Sequence, residues 1–186
     1  MNTTKCFFAA CATLAIATIG CGGTQSGNGG AGGTTAEAKE ASAVIEGKSG
    51  TSTTGGATFT SDGKNVTLKL EVTGAPAGEH AVHIHVNPDC SSPDAESAGD
   101  HWNPTHEAHG KFGTEPFHLG DIGNMTVGAD GKGSISLTTD LWSIGTGQVN
   151  DVTSHSIVIH ASPDDLTSQP SGNAGTRIGC GVIKRM

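Results

Sequence analysis

Apolar and polar residues alternate most cleanly along Asn65–Val72, where Val66, Leu68, Leu70 and Val72 share one side and Thr67, Lys69 and Glu71 the other. A period of two marks a half-buried strand. Strand-like runs recur at Ser42–Glu46, Gly56–Thr60, His80–Val86, Asp121–Val127, Gly133–Thr138, Ser154–His160 and Arg177–Lys184. Turn signals separate them, notably Ser61-Asp62-Gly63 and Ala129-Asp130-Gly131. No window of about 15 residues sustains a helical period, and no internal repeat is visible. The pattern predicts an all-β domain of eight antiparallel strands, a sandwich or flattened barrel. Two long stretches, Asn87–Gly120 and Ala161–Thr176, fall outside the strands, and loops of that length in a compact domain are usually functional.

Composition agrees with short strands and many turns: of 186 residues 29 are Gly, none is Tyr, and aromatics make up 4%. The formal charge of −8 speaks against nucleic acid as a partner. Residues 1–20 read as an export signal, with Lys5 ahead of an apolar stretch from Cys6 to Ile19. That stretch is too short to span a bilayer. Thr18-Ile19-Gly20-Cys21 resembles the bacterial lipoprotein cleavage box, although the family prefers Leu where Thr18 stands and a small residue where Ile19 stands. Cleavage there would leave Cys21 as a lipid-bearing first residue and a membrane anchor; simple secretion is the alternative. Residues 21–40, rich in Gly, Ser and Thr, read as a flexible linker, and the folded domain is expected over 41–186. Cys6 and Cys11 leave with the signal. Cys90 and Cys180 then remain, and in an exported chain they are expected to form a disulfide.

Candidate chemistry concentrates in the histidines. Of nine, His80, His83, His85, His101, His106, His109 and His118 precede Asp121 within one stretch, and His160 lies on a later strand. Alternation along a strand points His83 and His85 to one side and Ile84 to the core. In Ser156–His160 the same phase puts Ile157 and Ile159 on one face, leaving Val158 and His160 on the other. His83, His85 and His160 can therefore share a metal on the outer wall. His101, His109, His118 and Asp121 offer three nitrogens and a carboxylate, a set that suits closed tetrahedral zinc. An all-imidazole set with an open position suits copper.

Together these residues resemble the copper/zinc superoxide dismutases, from about Ala41 to the C-terminus. The resemblance rests on His83-x-His85, on Ser97-Ala98-Gly99-Asp100-His101-Trp102-Asn103-Pro104 and on His109-Gly110. It continues through His118-Leu119-Gly120-Asp121-Ile122-Gly123-Asn124, His160, Asp164-Asp165-Leu166 and Gly172–Ile183. It implies an eight-stranded Greek-key barrel with two functional loops, and an enzyme that disproportionates superoxide to dioxygen and hydrogen peroxide. Copper would be held by His83, His85, His101 and His160, and zinc by His101, His109, His118 and Asp121, with His101 bridging the two. Arg177 would pair with the substrate anion and His101 carry a proton. Asp164 would link a copper-side to a zinc-side histidine, and Cys90–Cys180 matches the family disulfide. Export and lipidation would place the chain in the cell envelope or periplasm, guarding it against superoxide; monomer and homodimer both stay open.

Other readings are weaker. A non-enzymatic copper- or zinc-holding envelope protein could use the same ligands, but such relatives typically lose a ligand or the arginine. A plain β-sandwich interaction domain on a lipid anchor would not explain the ordered ligands. His80, His106 and His155 are read as structural, Trp102 and Trp142 as packing residues. Charge raises a difficulty: removal of Lys5 with the signal takes the formal charge from −8 to −9, and a negative body repels superoxide. Leu166–Ser171, in the loop that is charged elsewhere in the family, carries no charge here. Lys111 is a candidate substitute, and the rate is expected to depend little on ionic strength.

Overall fold

The alternation of the sequence becomes strand faces in the computed structural model, which describes residues 39–186. The nine strands among the described residues are β1 (Lys39–Gly47), β2 (Thr54–Ser61), β3 (Val66–Thr73), β4 (Gly78–His85), β5 (Asp121–Val127), β6 (Gly133–Thr139), β7 (Ser156–His160), β8 (Arg177–Val182) and β9 (Lys184–Arg185). The expected signal, lipid-bearing Cys21 and most of the linker lie outside the described residues. β1, β2 and β3 form a meander, and the pairing then runs β3-β6-β5-β4-β7-β8-β1. Every pairing is antiparallel, and β1 returns to β2 through Ala43↔Ala57, so eight strands close into a Greek-key barrel.

On β3, Val66, Leu68, Leu70 and Val72 are all buried while Lys69 and Glu71 are exposed, as the period requires. Phe59, Ile45, Leu68, Leu70, Ile84, Met125, Ile157 and Ile159 fill the interior. Each is fully buried, and such a side chain stabilises the fold by about 1.5–3 kcal/mol relative to exposure.

The last two runs depart from the predicted bounds for local reasons. β7 starts at Ser156, not Ser154, because Ser154 turns through φ 69°. The last run is interrupted at Ile183, whose N–H donates to the His155 carbonyl in register with Ser156↔Val182, one residue past the end of β7. The chain resumes as β9 against Ala41 and Ser42 of β1.

β4 and β7 depart from half-burial: His83 and His85 lie on the outer face yet are buried, as is Val158. The long loops cover this part of the wall. Val158 and Cys180 pack outside the barrel against Ala95 and Ala98 of the first loop. The disulfide joins Cys90 to Cys180 across 90 residues, and Lys48 Nζ donates to the Cys90 carbonyl beside it. Trp102 N–H donates to the Ile84 carbonyl, and Gly120 N–H to the Trp102 carbonyl. A Cβ on Gly120 would stand 2.3 Å from the Ile84 carbonyl oxygen, so only glycine lets the loop lie flat on the strand. Bulges interrupt the ladders between Val82 and His83 and between Ile159 and His160, re-aiming the histidines at the site.

Candidate metal centre

Two four-residue groups form where the loops meet the β4–β7 wall. The ligand atoms of His83, His85, His101 and His160 lie within 4.8 Å of one another, as do those of His101, His109, His118 and Asp121. All seven residues are buried, and His101 belongs to both groups.

Hydrogen bonds on the far side of each ring decide which nitrogen faces inward. His83 Nε2 lies 2.9 Å from Asp164 Oδ2, which leaves its Nδ1 buried without a partner. His85 is turned the other way: its Nδ1 donates to the Gly99 carbonyl at 2.8 Å. His160 Nδ1 donates to the Gly175 carbonyl at 3.3 Å. A carbonyl can only accept, so both Nε2 atoms present lone pairs, and they face each other at 3.3 Å. Burial, reinforced by neighbouring imidazoles, pushes His85 and His160 well below the usual histidine range and keeps the lone pairs free. Two lone pairs aimed at one another repel unless a cation lies between them. The donor set fits a metal.

The second group is organised by Asp121. Its Oδ1 lies 2.9 Å from His101 Nδ1, and its Oδ2 accepts from the main-chain N–H groups of His118 and Gly110. His109 Nδ1 and His118 Nδ1 approach the same carboxylate at 3.0 and 3.2 Å without hydrogen-bond alignment. Both Nδ1 atoms converge on a common point beside it, as ligands do. Burial would raise the Asp121 carboxyl, but His101, His109 and His118 hold it far below the usual carboxylate range. Burial lowers His101, which Asp121 only partly offsets, leaving it at about 4. For His109 burial is outweighed by Asp121 and Asp164, and the ring is pushed up to about 9. Asp164 spans the groups, with Oδ1 2.9 Å from His109 Nε2 and Oδ2 on His83.

A cavity of about 750 Å³ is lined by His85, His101 and His160 of the first group, by His118 of the second and by Arg177. Arg177 Nη1 donates to the Ala95 carbonyl at 2.7 Å, and its Nε lies 3.6 Å from Glu96 Oε1. Glu96, Asp100 and Glu107 also line the cavity, so its lining sets three acidic residues against one guanidinium.

The comparisons with known proteins agree with this centre. Residues 53–183 match the family model described as copper/zinc superoxide dismutase (SODC). The chain belongs to the copper/zinc superoxide dismutase family. It is 39% identical over 135 residues to a superoxide dismutase [Cu-Zn] of Caulobacter vibrioides, covering 70% of this chain and 78% of that one. A second superoxide dismutase [Cu-Zn], of Deinococcus radiodurans, is also 39% identical, over 142 residues, covering 70% and 77%. The fold is similar to the crystal structure of an SOD-like protein from Bacillus subtilis, with a TM-score of 0.67 and 30% identity over 75% of this chain and 95% of that one. A double mutant of a B. subtilis SOD-like protein gives 0.68 and 31%, covering 75% and 94%.

As in the dismutase motifs, every ligand candidate read from the sequence converges here, and Asp164 links the groups. The remaining histidines stand apart. His80 is buried between the Pro76 and His160 carbonyls, His155 stacks on Trp102 with centroids 4.6 Å apart, and exposed His106 joins neither group. Lys111 does not line the cavity: it sits exposed in a turn closed by Thr114 N–H on its carbonyl. The carbonyls of Gly99 and Gly175, which set two rings, carry no sequence signal because any residue supplies a carbonyl.

Proposed function

We propose that this chain is a superoxide dismutase that converts two superoxide ions and two protons to dioxygen and hydrogen peroxide, with one copper and one zinc per chain. Copper is assigned to His83, His85, His101 and His160, and zinc to His101, His109, His118 and Asp121. The observation that carries the reading is His101: Nδ1 is turned to Asp121 and Nε2 is buried without a partner in the other group. A ring so placed can bridge two ions. Copper, when bound, supplies a one-electron couple, and zinc a fixed charge that holds the bridge and the loop.

The chain's own residues do the rest. Arg177, tethered by the Ala95 carbonyl, presents a fixed cation to a small anion entering the cavity. His101 Nε2 is the atom that can hold a proton and pass it toward the peroxide product. Asp164 locks His83 and His109 in the orientations that point Nδ1 inward. Sequence features support export, anchoring through Cys21 and protection of the cell envelope, and the Cys90–Cys180 disulfide fits an oxidising compartment.

The test is metal content and dismutase activity of the chain loaded with copper and zinc. One copper and one zinc per chain, with activity reduced to background by His83→Ala, is the expected result. Both metals bound without activity would favour the metal-holding alternative; neither metal bound would overturn both.

A further inference from the structure

The loop Leu166–Ser171 lacks the charges that would let it guide an anion, yet the structure gives it tight contacts. Gln169 reaches across 60 residues to the backbone of His109. His109 N–H donates to Gln169 Oε1 at 2.8 Å, and Gln169 Nε2 donates to the His109 carbonyl at 2.9 Å. These are the only partners of both main-chain groups among the described residues.

The frame behind Gln169 is stiff. Asp165 Oδ1 accepts from the N–H groups of Thr167 and Ser168, and its Oδ2 from Asn173 Nδ2. Gly172 N–H donates to the Ser168 carbonyl at 2.7 Å. Gly172 also lies hard against the Asp164–His109 contact: a Cβ there would meet Asp164 Oδ1 at 1.8 Å and His109 Nε2 at 2.7 Å. The stretch Ala161–Thr176 therefore holds His109 at three points, its N–H and carbonyl through Gln169 and its Nε2 through Asp164, leaving only Nδ1 to face the other ligands.

We infer that Gln169 is a positioning residue for the zinc side of the centre, its side-chain amide clamping the His109 backbone so that zinc is retained. Sites built on long loops lose precision unless such outer contacts fix them. The clamp also explains how a loop without charge still serves the reaction. Gln169, Pro170 and Ser171 form part of the cavity wall, so the residue that fixes His109 also fixes the wall.

The inference rests on the assignment of His109 to zinc, and its test separates the two. In the chain loaded with zinc and reduced copper, zinc release to a chromogenic chelator is timed for the wild type, Gln169→Met, Gln169→Glu and Ser171→Ala. Hydrogen exchange at the His109 amide is followed in the same samples. Gln169→Met keeps the side-chain length but loses both bonds; zinc release about 10-fold or more faster and an unprotected His109 amide are expected. Gln169→Glu keeps the acceptor, so the amide stays protected. Ser171→Ala, in the same loop but without a bond to His109, behaves as wild type. Zinc release from Gln169→Met within twofold of wild type, or an amide equally unprotected in the Glu and Met variants, overturns the inference. A wild-type chain that takes up no zinc overturns the metal assignment and the inference with it.

Discussion

Replacing Glu96 by Gln removes one of the three acidic residues lining the cavity while leaving Arg177 anchored to the Ala95 carbonyl at 2.7 Å. Glu96 is 69% exposed and 3.6 Å from Arg177, so the pair contributes little stability, about 0–1 kcal/mol. Its effect on an incoming anion is another matter. A superoxide paired with Arg177 would lie on the order of 6 Å from the Glu96 carboxylate, a repulsion of about 0.7 kcal/mol in water, or about threefold in rate. A Debye length of about 8 Å at physiological salt reduces this to less than about twofold. Glu96→Gln should therefore speed dismutation at low salt, and the gain should shrink as salt is added. The same charge balance sharpens the sequence-based expectation of weak salt dependence: the wild-type rate should rise gently with ionic strength. Rapid-mixing measurements of superoxide decay across a salt series, with copper and zinc content matched, would show this. A slower Glu96→Gln enzyme, or a wild-type rate that falls steeply with salt, would refute the reasoning and make Glu96 a support for Arg177.

Zinc binding should release a proton. Asp121 and Asp164, against burial, push His109 up to about 9, and the ring must be neutral to bind, so zinc affinity should rise about tenfold per unit between pH 7 and 9 and level off above. The linked sign for the metal-free domain is opposite. A raised histidine contributes stability that is complete below about 6.5 and is lost as pH climbs through about 9. Chelator competition at several pH values checks the first, and a flat profile would contradict it. Opening the disulfide by Cys90→Ser with Cys180→Ser should cost the metal-free domain about 4–5 kcal/mol, from loop-closure entropy over 90 residues. Denaturant unfolding at fixed pH measures it. A loss under about 1 kcal/mol would mean that Lys48 and Ser49, which bond the Cys90 and Pro93 carbonyls, already hold the loop.

Strand faces and candidate ligands were legible in local sequence. Alternation along Val66–Val72 and the His83-Ile84-His85 triplet admit one burial phase, because a strand's side chains reverse at every residue. The ordered motifs likewise named each ligand candidate, Asp164 and Arg177. Tertiary structure alone decided which nitrogen each ring presents, since that depends on whether its other nitrogen meets a carboxylate, as in His83, or a carbonyl, as in His85. It also decided that Lys111 misses the cavity while Glu96 enters it, and that the uncharged loop clamps His109 through Gln169. Periodicity is a property of neighbours along the chain. A hydrogen bond between residues 60 or 80 positions apart leaves no periodic mark, and a backbone carbonyl leaves none at all, so these partners become definite only when the barrel closes and the loops fold over its wall.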